Sequence, residues 1–258
     1  MAVLIVSDLH GAADALRKAV PEGSTLVLLG DLVNFLDYTS RSGILTEVFD
    51  KATIGEVVRL RTEGKPGDAK RLLDAVSNGR EEHIGSAIRR RVAEQYEAVF
   101  AALPNPTYMI LGNVDSPGAA HQLAEETPAV READGRVFEI EGERFGFSGG
   151  ALPTPLGIPS EVTEEEMKRK LEGLGPVDVL CSHIPPAVPE LCFDTRANRL
   201  ERGSRDILSY IREVQPRRAY FGHVHQPLVS ALHVGSTLCV NVGYFRATRR
   251  AWPHHANG

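Results

Sequence analysis

Cysteine is scarce in this chain. There are three in 258 residues, Cys181, Cys192 and Cys239, an odd number with no C-x-x-C spacing. That excludes a disulfide framework and a cysteine-built structural zinc site, and it fits a reducing, cytoplasmic setting. Long apolar runs are missing as well. No segment approaches the roughly 20 apolar residues of a membrane span, so no membrane partner is expected. The first apolar run, Val3–Val6, has no basic region before it and stops at Ser7-Asp8, so it reads as a strand and not a signal peptide. Neither charge sign dominates. The balance of 29 Lys+Arg against 34 Asp+Glu, net −5, leaves no global field for nucleic acid or an anionic membrane. There is no internal repeat and no low-complexity segment. What remains is an ordinary globular composition, 42% hydrophobic and 24% charged, on a chain long enough to bury its own core.

The hydrophobic pattern alternates between strand and helix. Val3–Val6, Thr25–Leu29, Thr107–Leu111, Val177–Cys181, Arg218–Phe221 and Leu238–Val242 are short apolar or β-branched runs, the texture of strands. A short helix around Asp14–Val20 joins the first two, a βαβ beginning that implies parallel strands. Val137–Ile140 and Arg144–Ser148 read as a hairpin about Glu141-Gly142-Glu143. A polar helix follows near Thr163–Leu171, and Ser204 can N-cap another whose stripe is Ile207, Leu208, Ile211 and Val214. From Phe35 to Pro104 helical periodicity takes over, ending in the stripe Ile84, Ile88, Val92, Tyr96, Val99 and Phe100. That region reads as a helical insertion, about residues 36–103, in a single domain over 1–258. Residues 246–258, with His254 and His255, read as a flexible tail.

The strand ends carry the chemistry. Five strands end in metal-ligand types: Asp8 and His10, Asp31, Asn113, His183, then His223 and His225. Asp8 and His10 lie two apart, so in extended chain they share a face. In open α/β sheets ligands bind beyond the carboxyl ends of the strands, so all these groups are expected at one place. Glycine precedes Asp31, Asn113 and His223, where it permits a positive φ and close backbone approach. Two Asp, one Asn and four His are hard-to-borderline donors that suit manganese, iron or zinc. Seven ligands are too many for one tetrahedral ion. Two ions fit, and a carboxylate can bridge them.

Asp8-Leu9-His10, Gly30-Asp31, Gly112-Asn113-Val114-Asp115, Ser182-His183 and Gly222-His223-Val224-His225 resemble, in that order, the motifs of the calcineurin-like metallophosphoesterase superfamily. The resemblance covers about residues 3–245 apart from the insertion. It implies an α/β fold, a four-layer α/β/β/α sandwich of two mixed sheets, and two divalent ions, with Mn favoured over Fe or Zn. By that pattern Asp8, His10 and His225 bind one ion, and Asn113, His183 and His223 bind the other. Asp31 bridges them, and a bridging hydroxide attacks phosphorus in line. Asp31, Asn113 and His225 are then the catalytic candidates. There is one departure. Val114 stands where most members have a His that contacts the phosphate or protonates the leaving group, and the chain looks most similar to bacterial phosphodiesterase-like members that also lack it. His121 and Asp115 are the nearby candidates for a replacement donor.

The expectation is therefore a metal-dependent phosphoesterase, with a phosphodiester favoured over a monoester. A catalytically silent interaction module on the same fold is the alternative from another class; a barrel amidohydrolase would more naturally open with His-x-His. The partner is a phosphoester substrate, with a nucleotide or nucleic acid left open. Arg89, Arg90 and Arg91 on the last inserted helix, and Arg246, Arg249 and Arg250 near the C-terminus, are either solvated faces or clamps for a second phosphate.

Overall fold

A computed structural model describes residues 2–38, 40–154 and 160–255. In chain order the elements are β1 Val3–Val6, α1 Ala13–Ala19, β2 Thr25–Leu28, α2 Ile44–Val48, α3 Lys51–Thr62, α4 Pro66–Ser77 and α5 Glu81–Phe100. Then come β3 Thr107–Met109, α6 Pro117–Glu126, β4 Val130–Glu132, β5 Val137–Ile140, β6 Glu143–Ser148, α7 Glu164–Leu174 and β7 Val179–Ser182. The chain continues through α8 Pro189–Cys192, β8 Phe193–Asp194, β9 Arg199–Leu200, α9 Arg205–Val214, β10 Arg218–Phe221, β11 Ala231–Val234, β12 Thr237–Asn241, α10 Phe245–Thr248 and β13 Trp252–His254. Among the described residues no helix is long and apolar enough to cross a membrane.

The strands form two mixed sheets. One has the order β13-β1-β2-β3-β4, the other β11-β12-β10-β7-β6-β5, and β8-β9 is a separate small hairpin. In the first sheet β1 to β4 are parallel and β13 runs antiparallel to β1. In the second, β6, β7, β10 and β12 are parallel, with antiparallel β5 and β11 at the edges.

Alternation along the strands builds the layers. Val3, Ile5, Val27 and Leu29 of the first sheet share one buried cluster with Phe145, Phe147, Val179, Cys181, Tyr220 and Val240 of the second. The sheets therefore pack face to face, and each fully buried aromatic there contributes about 1.5–3 kcal/mol. The alternate residues Val6, Leu26 and Leu28 face outward onto α1, α5 and α6 through Leu16, Tyr96, Phe100 and Ala120. On the other side Leu180, Ala219 and Phe221 pack on α7 and α9 through Leu171, Ile207 and Ile211. This is the expected α/β/β/α sandwich.

Three boundaries differ from the sequence reading. Glu143 belongs to β6 and pairs with Ile140, so the hairpin turn is the two residues Glu141 and Gly142, both with positive φ; a two-residue turn of this kind matches the strand twist. The helical stretch is not all peripheral. Val92, Tyr96, Val99 and Phe100 of α5 belong to the central packing on the first sheet, while Phe49, Ile54 and Ile84 form a small cluster of their own. The C-terminal segment is not a tail either. Residues 252–254 extend the first sheet, with Val3 opposite His254 and Ile5 opposite Trp252; Ala256, Asn257 and Gly258 lie outside the described residues.

His254 is buried. Its Nε2 lies 2.7 Å from Glu143 Oε2 and its Nδ1 accepts from the Tyr220 hydroxyl at 3.0 Å, tying β13 to the second sheet. Burial lowers its proton affinity below the usual imidazole value of 6.5, with the Glu143 hydrogen bond opposing. The unfolded chain then takes up a proton near pH 6.5 that the folded chain refuses, so stability is lost as pH falls through that value. Denaturant unfolding at pH 7, 6 and 5 is expected to show this loss, and His254→Gln is expected to shrink the slope; an unchanged slope would place the acid sensitivity elsewhere.

Candidate metal centre

The motifs come together at the carboxyl ends of the strands in both sheets. Asp8, His10 and His225 present ligand atoms all within 4.8 Å of one another, and so do Asp8, Asp31 and His183. Asn113 Oδ1 lies 3.0 Å from His183 Nε2 and 2.8 Å from His223 Nδ1. The Asp31 carboxylate stands between the two halves: Oδ2 is 3.7 Å from His10 Nε2 and Oδ1 is 3.5 Å from His183 Nε2. Asp8 accepts from the His223 amide at 2.9 Å and lies 3.4 Å from His225 Nε2. All seven expected ligand residues are thus in one cluster.

The local backbone is not what the two-residue spacing suggested. Asp8 and His10 are beyond the end of β1, with φ of 55° and 42°, and Asp31 and His223 have φ of 55° and 67°. Four side chains of the cluster therefore project from left-handed turns, an uncommon conformation for residues with a Cβ and one concentrated at functional sites. The glycines serve mainly as space. A Cβ at Gly112 would stand 2.2 Å from Asp31 Oδ1 and 2.5 Å from His183 Cε1, and one at Gly222 would stand 1.9 Å from Ser7 Oγ and 2.3 Å from Asp8 Oδ2. Of the three, only Gly30 itself has a positive φ, 96°.

Ring orientation is set from outside the cluster. His10 donates from Nδ1 to the Val33 carbonyl at 3.0 Å, and His183 from Nδ1 to the Leu29 carbonyl at 2.8 Å. In its neutral form, with the proton on Nδ1, such a ring turns an Nε2 lone pair inward. His183 Nε2 then meets the Asn113 carbonyl oxygen, acceptor against acceptor, which a cation reconciles and a hydrogen bond does not. Electrostatics point the same way. Burial and the neighbouring His183 push His223 down to about 4, and burial also holds His10 below the usual imidazole range. Burial works to raise Asp8, but the hydrogen bond and charge of His225 outweigh it and keep the carboxyl well below the usual range. His225 itself is raised, the Asp8 carboxylate overcoming the effect of burial. The ionised Asp8 carboxylate and the neutral His10 and His223 rings are donor forms a divalent cation needs, whereas His225 must give up the proton that Asp8 favours before it can bind one.

Asp115 does not face the cluster as a proton donor. Its Oδ2 accepts from the amides of Asp31 at 2.9 Å and Gly112 at 2.8 Å, and its Oδ1 accepts from the Leu32 amide at 2.9 Å and the Tyr96 hydroxyl at 3.2 Å. Burial, then the charge of Asp31, pushes it up to about 7. It ties the Gly30-Asp31 and Gly112-Asn113 turns together from behind. His121 is exposed on α6, with its Nδ1 against the Glu132 carboxylate at the end of β4. Arg89 bonds Ser86, Arg90 faces Glu94 at 3.9 Å, and Arg91 bridges Glu47 and Glu94. These arginines lie along the outer face of α5, each with a partner on the protein itself.

Several residues with a role here lie outside the ligand motifs. Tyr96 and Gln95 of α5 reach the cluster's support: Tyr96 through Asp115, Gln95 by accepting from the Asn34 amide at 2.8 Å. The segment after β12 contributes more. Asn241 donates to the carbonyls of Gly222 and Val224, shaping the Gly-His-Val-His turn. The Tyr244 ring stacks on His225 with centroids 3.9 Å apart and planes 3° from parallel. Arg246 donates to the His10 carbonyl at 2.6 Å and to Ser42 Oγ at 3.0 Å. A signal existed: β12 is another parallel strand of the same sheet, so the rule that gathers the other motifs at carboxyl ends of strands also brings residues 242–246 to the cluster.

The chain has the fold of solved structures with little sequence in common. One crystal structure aligns at a TM-score of 0.57 with 17% identity, over 99% of each chain. The crystal structure of TT1561 of Thermus thermophilus aligns at 0.52 with 14% identity, over 98% of each chain. Among curated proteins none matches. Residues 1–227, which include every ligand candidate from Asp8 to His225, match the calcineurin-like phosphoesterase family, and the chain belongs to it.

Proposed function

We propose that this metal-dependent phosphoester hydrolase is a phosphodiesterase working with two divalent ions, Mn favoured. In this reading Asp8, His10 and His225 hold one, Asn113, His183 and His223 hold the other, and Asp31 is shared. The observation that carries it is the convergence of carboxylates and inward-turned imidazole lone pairs, with His183 Nε2 set 3.0 Å from another acceptor on Asn113. A silent interaction module has no need of such a set. Two cations held there would supply positive charge to the phosphoryl oxygens and would acidify a water toward a pKa of about 7. The chain's own share is to hold that charge pattern rigid: Val33 and Leu29 carbonyls fix two rings, and Asp115 fixes the turns that carry Asp31 and Asn113. Three free buried cysteines support a reducing, cytoplasmic setting.

The diester preference comes from what surrounds the leaving group. Val114 has no proton to give, and its side chain packs toward the first sheet's outer cluster. His121 is paired with Glu132, and Asp115 is occupied by four donors. A departing group must then leave without a strong acid beside it, which favours weakly basic leaving groups. Rates with Mn²⁺-loaded protein are expected to fall steeply from aryl to alkyl phosphodiesters, and monoesters with poor leaving groups are expected to be poor substrates. Val114→His is expected to raise alkyl diester rates toward the lower end of the about 10²–10⁴-fold that a general acid supplies, since Asp115 is not free to orient the ring. A flat leaving-group dependence in the wild type, or faster turnover of alkyl monoesters than of aryl diesters, would refute the preference.

A further inference from the structure

We infer that Tyr244 is a positioning residue for His225, holding the plane of that imidazole toward Asp8 and His10. The inference rests on the metal-centre reading above. Two of the other three rings of the cluster show the kind of restraint that His225 lacks, while His223 meets Asn113 Oδ1 at Nδ1. His10 and His183 are each fixed at Nδ1 by a backbone carbonyl, Val33 and Leu29. Among the described residues His225 has no such carbonyl. Its polar neighbours, Asp8 Oδ1 at 3.4 Å and His10 Nε2 at 3.3 Å, both sit at Nε2. A ring held at one corner can still turn about its own bond to Cβ, and the His225 side chain is 36% exposed, so packing on all sides does not stop it.

Tyr244 supplies the missing restraint. Its ring lies flat on the His225 ring, 3.9 Å away and 3° from parallel, and meets the His10 ring edge to face at 5.5 Å. Rotation of His225 out of that plane would drive its edge into the tyrosine face. The tyrosine is itself anchored. Its hydroxyl donates to Asp37 at 3.2 Å, the next residue Phe245 is buried in the first sheet's outer cluster, and the Phe245 and Arg246 amides donate to the carbonyls of Ser7 and Asp8 at 3.2 Å each. The Arg246 guanidinium closes on the His10 carbonyl. The segment that sets the His225 plane is thus bolted to the same turn that carries Asp8 and His10. One short stretch after β12 fixes the relation between three ligand residues that come from opposite ends of the chain.

The test is metal binding and not turnover. Metal-free wild type, Tyr244→Phe and Tyr244→Leu are titrated with Mn²⁺ alone by calorimetry, with thermal unfolding measured alongside. The wild type is expected to take two ions. Tyr244→Leu, which keeps an apolar side chain but loses the flat face, is expected to bind one of them about 10–100-fold more weakly, the range for losing a group that orients a ligand, while the other ion is unaffected. Tyr244→Phe keeps the face and is expected to stay close to wild type at both. Wild-type affinity at both positions in Tyr244→Leu would overturn the inference. So would an equal loss at both positions accompanied by a fall in Tm, which marks a merely structural role, or a loss in Tyr244→Phe as large as in Tyr244→Leu. A wild type that takes up no Mn²⁺ overturns the metal centre itself, and is told apart by that result alone.

Discussion

Replacing Asp31 with asparagine is expected to lower kcat by at least about 10³-fold, with the fold intact. A single stabilising group at a reacting centre is worth about 10²–10³ in kcat, and here the loss is a full charge facing both halves of the cluster. Oδ1 accepts from the Val114 amide at 3.0 Å and lies 3.5 Å from His183 Nε2, while Oδ2 lies 3.7 Å from His10 Nε2. Asparagine keeps one oxygen, enough for the Val114 amide, but turns an NH₂ toward one of the imidazoles and carries no charge. The backbone tolerates the change, because Asp31 has a φ of 55° and asparagine is among the residues most at ease there. The effect is therefore separable from misfolding. The measurements are kcat on an aryl phosphodiester and metal content per chain, with about two ions expected in wild type and fewer in the variant. A kcat within about tenfold of wild type at full metal content would remove Asp31 from the centre of the mechanism, since even one lost oxyanion donor costs more.

The placement of Asp31 was legible because it depends on topology alone. Parallel strands put their carboxyl ends together, so a Gly-Asp, a Gly-Asn, a Ser-His and a Gly-His-Val-His at strand ends meet whatever the side-chain details. Layering was legible for the same reason: Val3 and Ile5 face one way and Leu4 and Val6 the other by the period of a strand. What escaped notice depends on contacts far apart in sequence. Nothing near Asp115 says that its carboxylate meets amides 83 and 84 residues earlier. Pro253, Asn257 and two histidines gave the C-terminus the look of a tail, because proline and polar residues argue against a strand. Pro253 is nonetheless acceptable in β13, which is an edge strand; there a missing N–H need not break the ladder. The left-handed turns at Asp8 and His10 were invisible to a pattern that assumes extended chain, and the correct meeting place was reached there through an incorrect geometry.

Asp115→Asn is expected to destabilise the protein by about 2–4 kcal/mol and to reduce activity on every substrate alike. Each buried donor left without an acceptor costs about 1–3 kcal/mol. Around this side chain there are only donors: three backbone amides and the Tyr96 hydroxyl. Asparagine offers one oxygen and one NH₂. If the NH₂ takes the Oδ2 side, the Asp31 and Gly112 amides are both abandoned; on the Oδ1 side, the Leu32 amide is abandoned, and the tyrosine hydroxyl can turn to accept only by leaving its own proton without Asp115. The second arrangement costs less, and in it the Leu32 amide, next to Asp31, loses its tether. A shift of about 1 Å at a reacting group can cost about 10²-fold, so a loss of that order is expected on aryl and alkyl phosphodiesters equally. Tyr96→Phe is the milder counterpart. It removes one hydrogen bond to Asp115 and the acceptor of the Ser116 amide, and is expected to cost about 1–3 kcal/mol. The opposite reading makes Asp115 the proton donor to the leaving group. Asp115→Asn would then leave unfolding free energy near wild type and spare aryl substrates while abolishing alkyl ones. Denaturant unfolding of the variant, set beside its rates on the two substrate classes, separates a carboxylate that braces the site from one that works in it.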